Sequence, residues 1–157
     1  MIKEIFILNE GGIGLFYQNF EKEVQDDCQM LASFFSAIQS FAEKAMSEHL
    51  NAIISGENKY VFCTAEKFSI VIKTDKNTSD SKIKSKLEVL KDSFHKIFED
   101  CLNQNEIRTE NFNGFEQVVI NVFNIKTKPK YKSSEIFKDL LGLSNKKINF
   151  KKILNSL

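Results

Sequence analysis

Three β-favouring runs, His49–Ser55, Lys59–Thr64 and Lys67–Thr74, are separated only by Gly56-Glu57-Asn58 and Ala65-Glu66. Gaps this short can be spanned only by hairpins, because a parallel return needs a dozen or more residues. The segment is therefore expected to be an antiparallel meander. On its last strand Phe68, Ile70 and Ile72 form one face, while Ser69, Val71 and Lys73 form a more polar one. That alternation predicts helices packed on one face of the sheet.

Two further strands are expected at the start. Ile2–Leu8 is apolar, Asn9-Glu10-Gly11-Gly12 supplies the backbone freedom of a tight reversal, and a second strand follows at about Ile13–Asn19. Val24, Cys28, Leu31, Phe35, Ile38, Ala42 and Ala45 then step by four and three, predicting a long amphipathic helix over about Asp27–Met46. Asp26 is placed to cap it, with Gln29 at the capping-box offset. After the polar loop Asp75–Asp80, the series Ile83, Leu87, Leu90, Phe94, Ile97 and Cys101 predicts a second long helix over about Ser81–Cys101. Phe112, Phe115, Val119, Val122 and Phe123 outline a shorter third.

The composition supports one domain with a basic extension. With 42% hydrophobic residues and 15 Phe among 157, residues 1–125 can build a core without a metal or disulfide staple. The cysteines Cys28, Cys63 and Cys101 are odd in number and widely spaced, which makes no disulfide framework and points to a reducing cytoplasm. No apolar run is long enough for a signal segment or a membrane span. Residues 126–157 hold nine lysines against Glu135 and Asp139, a net +7, which leaves −6 on residues 1–125. This extension opens on a charged linker, Lys126–Lys132, around the single Pro129. Ser133 and Ser134 then cap a short helix carrying Ile136, Phe137, Leu140 and Leu141 and ending at Gly142, and Phe150, Ile153, Leu154 and Leu157 form a last amphipathic turn. Its lysines and apolar residues suit packing on the acidic body and peripheral contact with an anionic membrane equally. The overall charge of +1 gives no ground for nucleic-acid binding.

Residues that could do chemistry do not converge. His49 and His95 stand alone, without a metal-ligand spacing. Cys28 lies at a helix start, where a thiolate is favoured, but Asp26 and Asp27 beside it oppose that charge. Cys63 and Cys101 sit on apolar faces and read as core thiols. Gly11-Gly12-Ile13-Gly14 lacks the Gly-Lys-Ser/Thr ending of a phosphate loop and runs into a strand, so it reads as a hairpin. Asp75–Asp80, interrupted by Lys76, lacks the glycine and glutamate of a calcium loop. No catalytic residue, metal or cofactor is expected.

The opening Ile5-Phe6-Ile7-Leu8-Asn9-Glu10-Gly11-Gly12-Ile13-Gly14-Leu15-Phe16, the helix Leu31-Ala32-Ser33-Phe34-Phe35-Ser36-Ala37-Ile38-Gln39-Ser40-Phe41 and the close Phe112…Phe115…Val119…Val122-Phe123 resemble the longin family, whose fold is profilin-like. The resemblance covers about residues 1–125. It implies an α/β (α+β) domain with a five-stranded antiparallel sheet in the order 2-1-5-4-3, long helices, and here a C-terminal helical extension. It also implies a protein that works through its surface, pairing with itself or with another longin or roadblock-type protein and serving as a platform for a small GTPase in membrane traffic. A longin SNARE would continue into many heptads, whereas residues 126–157 are few and interrupted at Pro129 and Gly142. Phe34, Ala37 and Phe41 widen the apolar stripe of the first helix and, with Leu50, Ala52 and Ile53 of the neighbouring edge strand, form the candidate interface. The alternative is a small-molecule-sensing or enzymatic α/β domain of similar architecture, which would need a deep polar pocket.

Overall fold

A computed structural model describes residues 1–21, 28–104 and 108–126. Its five strands are β1 (Ile2–Asn9), β2 (Gly14–Asn19), β3 (Ala52–Ser55), β4 (Asn58–Thr64) and β5 (Phe68–Asp75), and its α-helices are α1 (Cys28–Phe41), α2 (Asp80–Leu102) and α3 (Glu116–Phe123). All strand pairs are antiparallel, and the order is β2-β1-β5-β4-β3. This is the expected order, with the first and last segments of the sheet side by side at its centre.

The expectation that both long helices share one face is wrong. Phe6, Leu8, Tyr17, Phe62 and Val71 pack with Ala32 and Phe35 of α1. Ile5, Ile7, Val61, Ile70 and Ile72 point the other way, into a larger cluster with Ile83, Leu87, Leu90, Phe94 and Phe98 of α2 and Val118 and Val119 of α3. The sheet is therefore the middle of three layers, and its central strands β1 and β5 are apolar on both sides. Val71, flanked in sequence by Ser69 and Lys73, gives little sign of this. Across the strands, however, it sits between Phe62 and Phe6 and is fully buried.

Other boundaries moved for local reasons. The first helix passes from α-helical to π-helical winding over Ala42–Met46 and ends at Ser47, which adopts a left-handed conformation (φ 56°). The chain uses residues 47–51 to turn back, so β3 begins at Ala52 rather than His49. Asp26 lies outside the described residues. The Gln29 amide nitrogen donates to the Gly12 carbonyl at 2.9 Å, and its oxygen accepts from the Gly14 N–H at 3.2 Å, which ties α1 to the first hairpin. The third helical segment splits into a 3-10 turn, Thr109–Phe112, and α3, with Gly114 at φ 91° between them. Ile136, Phe137, Leu140 and Leu141 lie outside the described residues, as does the rest of the extension beyond Lys126.

Gly12 shows how closely the first hairpin meets α1. Its φ is +79°, and a Cβ there would lie 3.1 Å from the Ser36 Cβ and 3.4 Å from the Ser33 Cα. Gly12→Val is expected to lower stability by about 1–3 kcal/mol through strain and crowding. Gly56→Ala, at φ +60° with no atom near its Cβ, carries only the backbone cost of about 1–2 kcal/mol. Thermal melts of the two variants check this; a larger loss for Gly56→Ala would refute the close approach.

Candidate functional site

From Cys28 to Phe41, α1 contains no charged residue. Its inward face is fixed by Phe35, whose ring meets Phe6, Tyr60 and Phe62 with centroids 5.3, 5.4 and 5.7 Å away. Polar pins hold the same face at both ends. Gln29 joins the helix to the first hairpin, and the Gln39 amide donates to the hydroxyls of Thr64 and Ser69 at 3.0 and 3.2 Å. The Ser36 hydroxyl donates to the Glu10 carbonyl at 3.2 Å. With rotation about the helix axis set, Met30, Phe34, Ala37 and Phe41 fall on the outer side at helical spacing. Met30, Phe34 and Phe41 are 65%, 52% and 65% exposed. Met46, in the π-helical turn, continues the apolar exposure.

Beside α1 lies the open edge of β3. The Phe62 N–H donates to the Asn51 carbonyl at 3.0 Å, which makes residues 51 and 62 a hydrogen-bonded pair. Antiparallel alternation then turns the N–H and C=O of Ile53 towards β4 and those of Ala52 and Ile54 away from the sheet. A four-residue edge strand therefore offers two residues' worth of backbone hydrogen bonds to a partner strand. Of the sequence-derived candidates, Leu50 and Ile53 are half-buried on the α1 side, next to the helix that carries Phe34, Ala37 and Phe41. Ala52 faces the opposite side, against the α2 cluster. Met30 and Ile54, the latter 66% exposed, were not among those candidates.

On the α2 side of the sheet edge there is a groove of about 450 Å³ lined by residues that include Cys63, Leu87, Glu88, Lys84, His49 and Thr64. The Cys63 thiol donates to a Glu88 carboxylate oxygen at 3.6 Å, and Glu88 is ion-paired with Lys91. Burial, reinforced by the negative charge of Glu88, pushes the Cys63 thiol up to about 11. A thiol with that pKa is a poor nucleophile. At mildly alkaline pH, Cys63 should react with a thiol-alkylating reagent about a hundredfold more slowly than an unperturbed cysteine. Because the folded pKa is raised, the stabilisation from keeping this thiol protonated is present below about pH 9 and is lost as pH rises towards 11. Mass-spectrometric labelling rates test the first point; labelling of Cys63 as fast as a free thiol in the folded protein would refute the assignment.

His49 is exposed and pairs with Glu43 at 3.1 Å. Among the described residues, no group of three His, Cys, Asp or Glu side chains is placed to hold a metal. No described helix is long and apolar enough to cross a membrane.

Residues 3–113 match a family described as the first longin domain of FUZ, MON1 and HPS1. No curated protein sequence matches. Among solved structures, Myxococcus xanthus MglB superposes with a TM-score of 0.51 at 18% identity, over 63% of this chain and 85% of that one. The gliding protein MglB of Thermus thermophilus gives a TM-score of 0.44 at 15% identity, over 54% of this chain and 68% of that one. The first likeness is one of fold alone, and the second is too distant to add to it.

Proposed function

The chain belongs to the family of first longin domains of FUZ, MON1 and HPS1, and from that premise we propose that it is a non-catalytic protein-interaction module. In this reading it pairs through α1 and β3 with a second copy or a related longin domain, and the pair is a cytoplasmic platform for a small GTPase in membrane traffic. The observation that carries the reading is the outer side of α1, a charge-free stripe with two phenylalanines more than half exposed beside an open strand edge.

The physical case has three parts. Covering a large apolar side chain gains about 1.5–3 kcal/mol, and Phe34 and Phe41 are the aromatic type that dominates interface energetics. In a twofold pair the same stripe meets itself, and a stripe without charge does so without like-charge repulsion. Pairing of the β3 edges would satisfy the outward N–H and C=O groups of Ala52 and Ile54. Among the described residues nothing comparable supports catalysis: Cys63 is held protonated, and the exposed His49 pairs with Glu43.

The GTPase part is tested by offering the immobilised full chain to small GTPases loaded with GDP or with a non-hydrolysable GTP analogue. Capture selective for one nucleotide state supports the platform. Equal or absent capture of both states by the paired protein would reject it while leaving the pairing itself to be judged separately.

A further inference from the structure

The chain has three methionines, and two of them stand on the outer side of the first helix. Met30 precedes Phe34 by one α-helical turn and is 65% exposed. Met46 follows Phe41 by about one turn of the π-helical winding there and is 59% exposed. The stripe therefore runs Met30, Phe34, Phe41, Met46, with a thioether flanking the aromatic pair at each end. Met1, the third, lies off the stripe, where its ammonium pairs with Asp75 at 2.9 Å.

We propose that this stripe is a redox switch: hydrogen peroxide converts Met30 and Met46 to sulfoxides, which separates two paired copies of the chain, and a thiol-dependent sulfoxide reductase restores the pair. The inference rests on the pairing through α1 proposed above. In the oxidation the thioether sulfur attacks one peroxide oxygen, the O–O bond breaks and the other oxygen leaves as water, so that sulfur loses two electrons and peroxide gains them. In the return step two thiols become a disulfide and the sulfoxide oxygen leaves as water. The thiols of the chain are weaker competitors for peroxide, which reacts with thiolates. Burial, reinforced by Glu88, pushes Cys63 up to about 11, and burial beside Asp100 raises Cys101. Oxidation turns a flexible apolar side chain into a polar one. The facing α1 stripe carries no charged residue from Cys28 to Phe41, and covering a sulfoxide oxygen without a donor costs about tenfold in affinity or more. A twofold axis repeats each lesion, so a pair carries four.

The full chain at tens of micromolar is followed by sedimentation equilibrium before and after peroxide, with mass spectrometry confirming one added oxygen on each of Met30 and Met46. Oxidation is expected to raise the dissociation constant at least about a hundredfold, with an unchanged circular-dichroism spectrum. Sulfoxide reductase with dithiothreitol should restore the pair, whereas dithiothreitol alone, which reverses only thiol oxidation, should not. Met30→Leu with Met46→Leu keeps the apolar volume, so this double variant should pair normally and stay paired in peroxide. Pairing covers both sulfurs, so Met30 and Met46 should oxidise more slowly relative to Met1 as concentration rises. An unchanged dissociation constant with both sulfurs oxidised, loss of the fold on oxidation, or concentration-independent oxidation of the two residues would overturn the switch. Equal peroxide sensitivity of the double leucine variant would assign the effect to Met1 or the cysteines and overturn it too. A chain that is monomeric before peroxide is added would reject the pairing itself, and the switch with it.

Discussion

Phe34→Asp is expected to raise the dissociation constant of the paired protein by about a thousandfold, leaving a monomer at tens of micromolar. Truncating or charging a central aromatic anchor typically costs about 2 kcal/mol or more. A twofold interface places the change on both partners, which doubles it, and each 1.4 kcal/mol is tenfold in affinity. Phe34 is half exposed, while its helix is held by Phe35, Gln29 and Gln39 on the other side, so the substitution should leave the fold intact. Ile54→Lys is a second probe. Its side chain is exposed at the strand edge, and a lysine there is a common natural guard against edge pairing. Ile53 is less suitable because it is half-buried beside α1. Sedimentation equilibrium of each variant against the unchanged protein gives the result. A pair unaffected by both substitutions would place the interface elsewhere.

Phe94→Ala is expected to cost about 3–5 kcal/mol, a large share of the 5–15 kcal/mol that holds a typical domain together. Phe94 is fully buried under the sheet, with Phe68, Phe98, Phe112 and Phe115 at centroid distances of 4.9, 4.9, 5.4 and 5.0 Å. Its removal leaves a cavity walled by four rigid rings from β5, α2 and the segment leading into α3, which limits collapse. In a chain of this size the melting temperature should fall by roughly 10–15 °C. Phe35→Ala, its counterpart on the other face, should lose a similar amount, since Phe35 meets Phe6, Tyr60 and Phe62 there. A loss under about 1 kcal/mol for Phe94→Ala, small for a buried aromatic, would contradict the packing described.

What could be read from the sequence follows from how far apart the interacting residues are. The hairpin spacings around Gly12, Gly56 and Glu66 and the four-three stepping through Val24–Ala45 and Ile83–Cys101 are local, and they placed every strand and both long helices to within a few residues. The two-sidedness of the sheet is not local. Val71 looks like a lone apolar residue on a polar face until Phe62 and Phe6 are brought beside it by pairings made across the sheet. The shortening of β3 was equally hidden, because it depends on the π-helical turn and the left-handed Ser47 that consume the preceding residues. At the candidate interface the excess apolar width of the first helix was visible in Phe34 and Phe41. Met30, one turn earlier, carried the same signal and was missed. The link between Cys63 and Glu88 joins β4 to α2, and no spacing in the sequence marks it.

The pairing of α1 and β3 is tested most directly by amide hydrogen exchange at Ala52 and Ile54, followed in the unchanged protein from sub-micromolar to about a hundred micromolar. These two N–H groups point away from the sheet and should exchange freely in the monomer. The account predicts that both become protected as concentration rises, together with the outer turns of α1 around Phe34, and that Phe34→Asp abolishes the change. Fast exchange at both amides across the whole range, in a protein whose measured mass stays at the 18.1 kDa of one chain, would contradict pairing with a second copy through this edge.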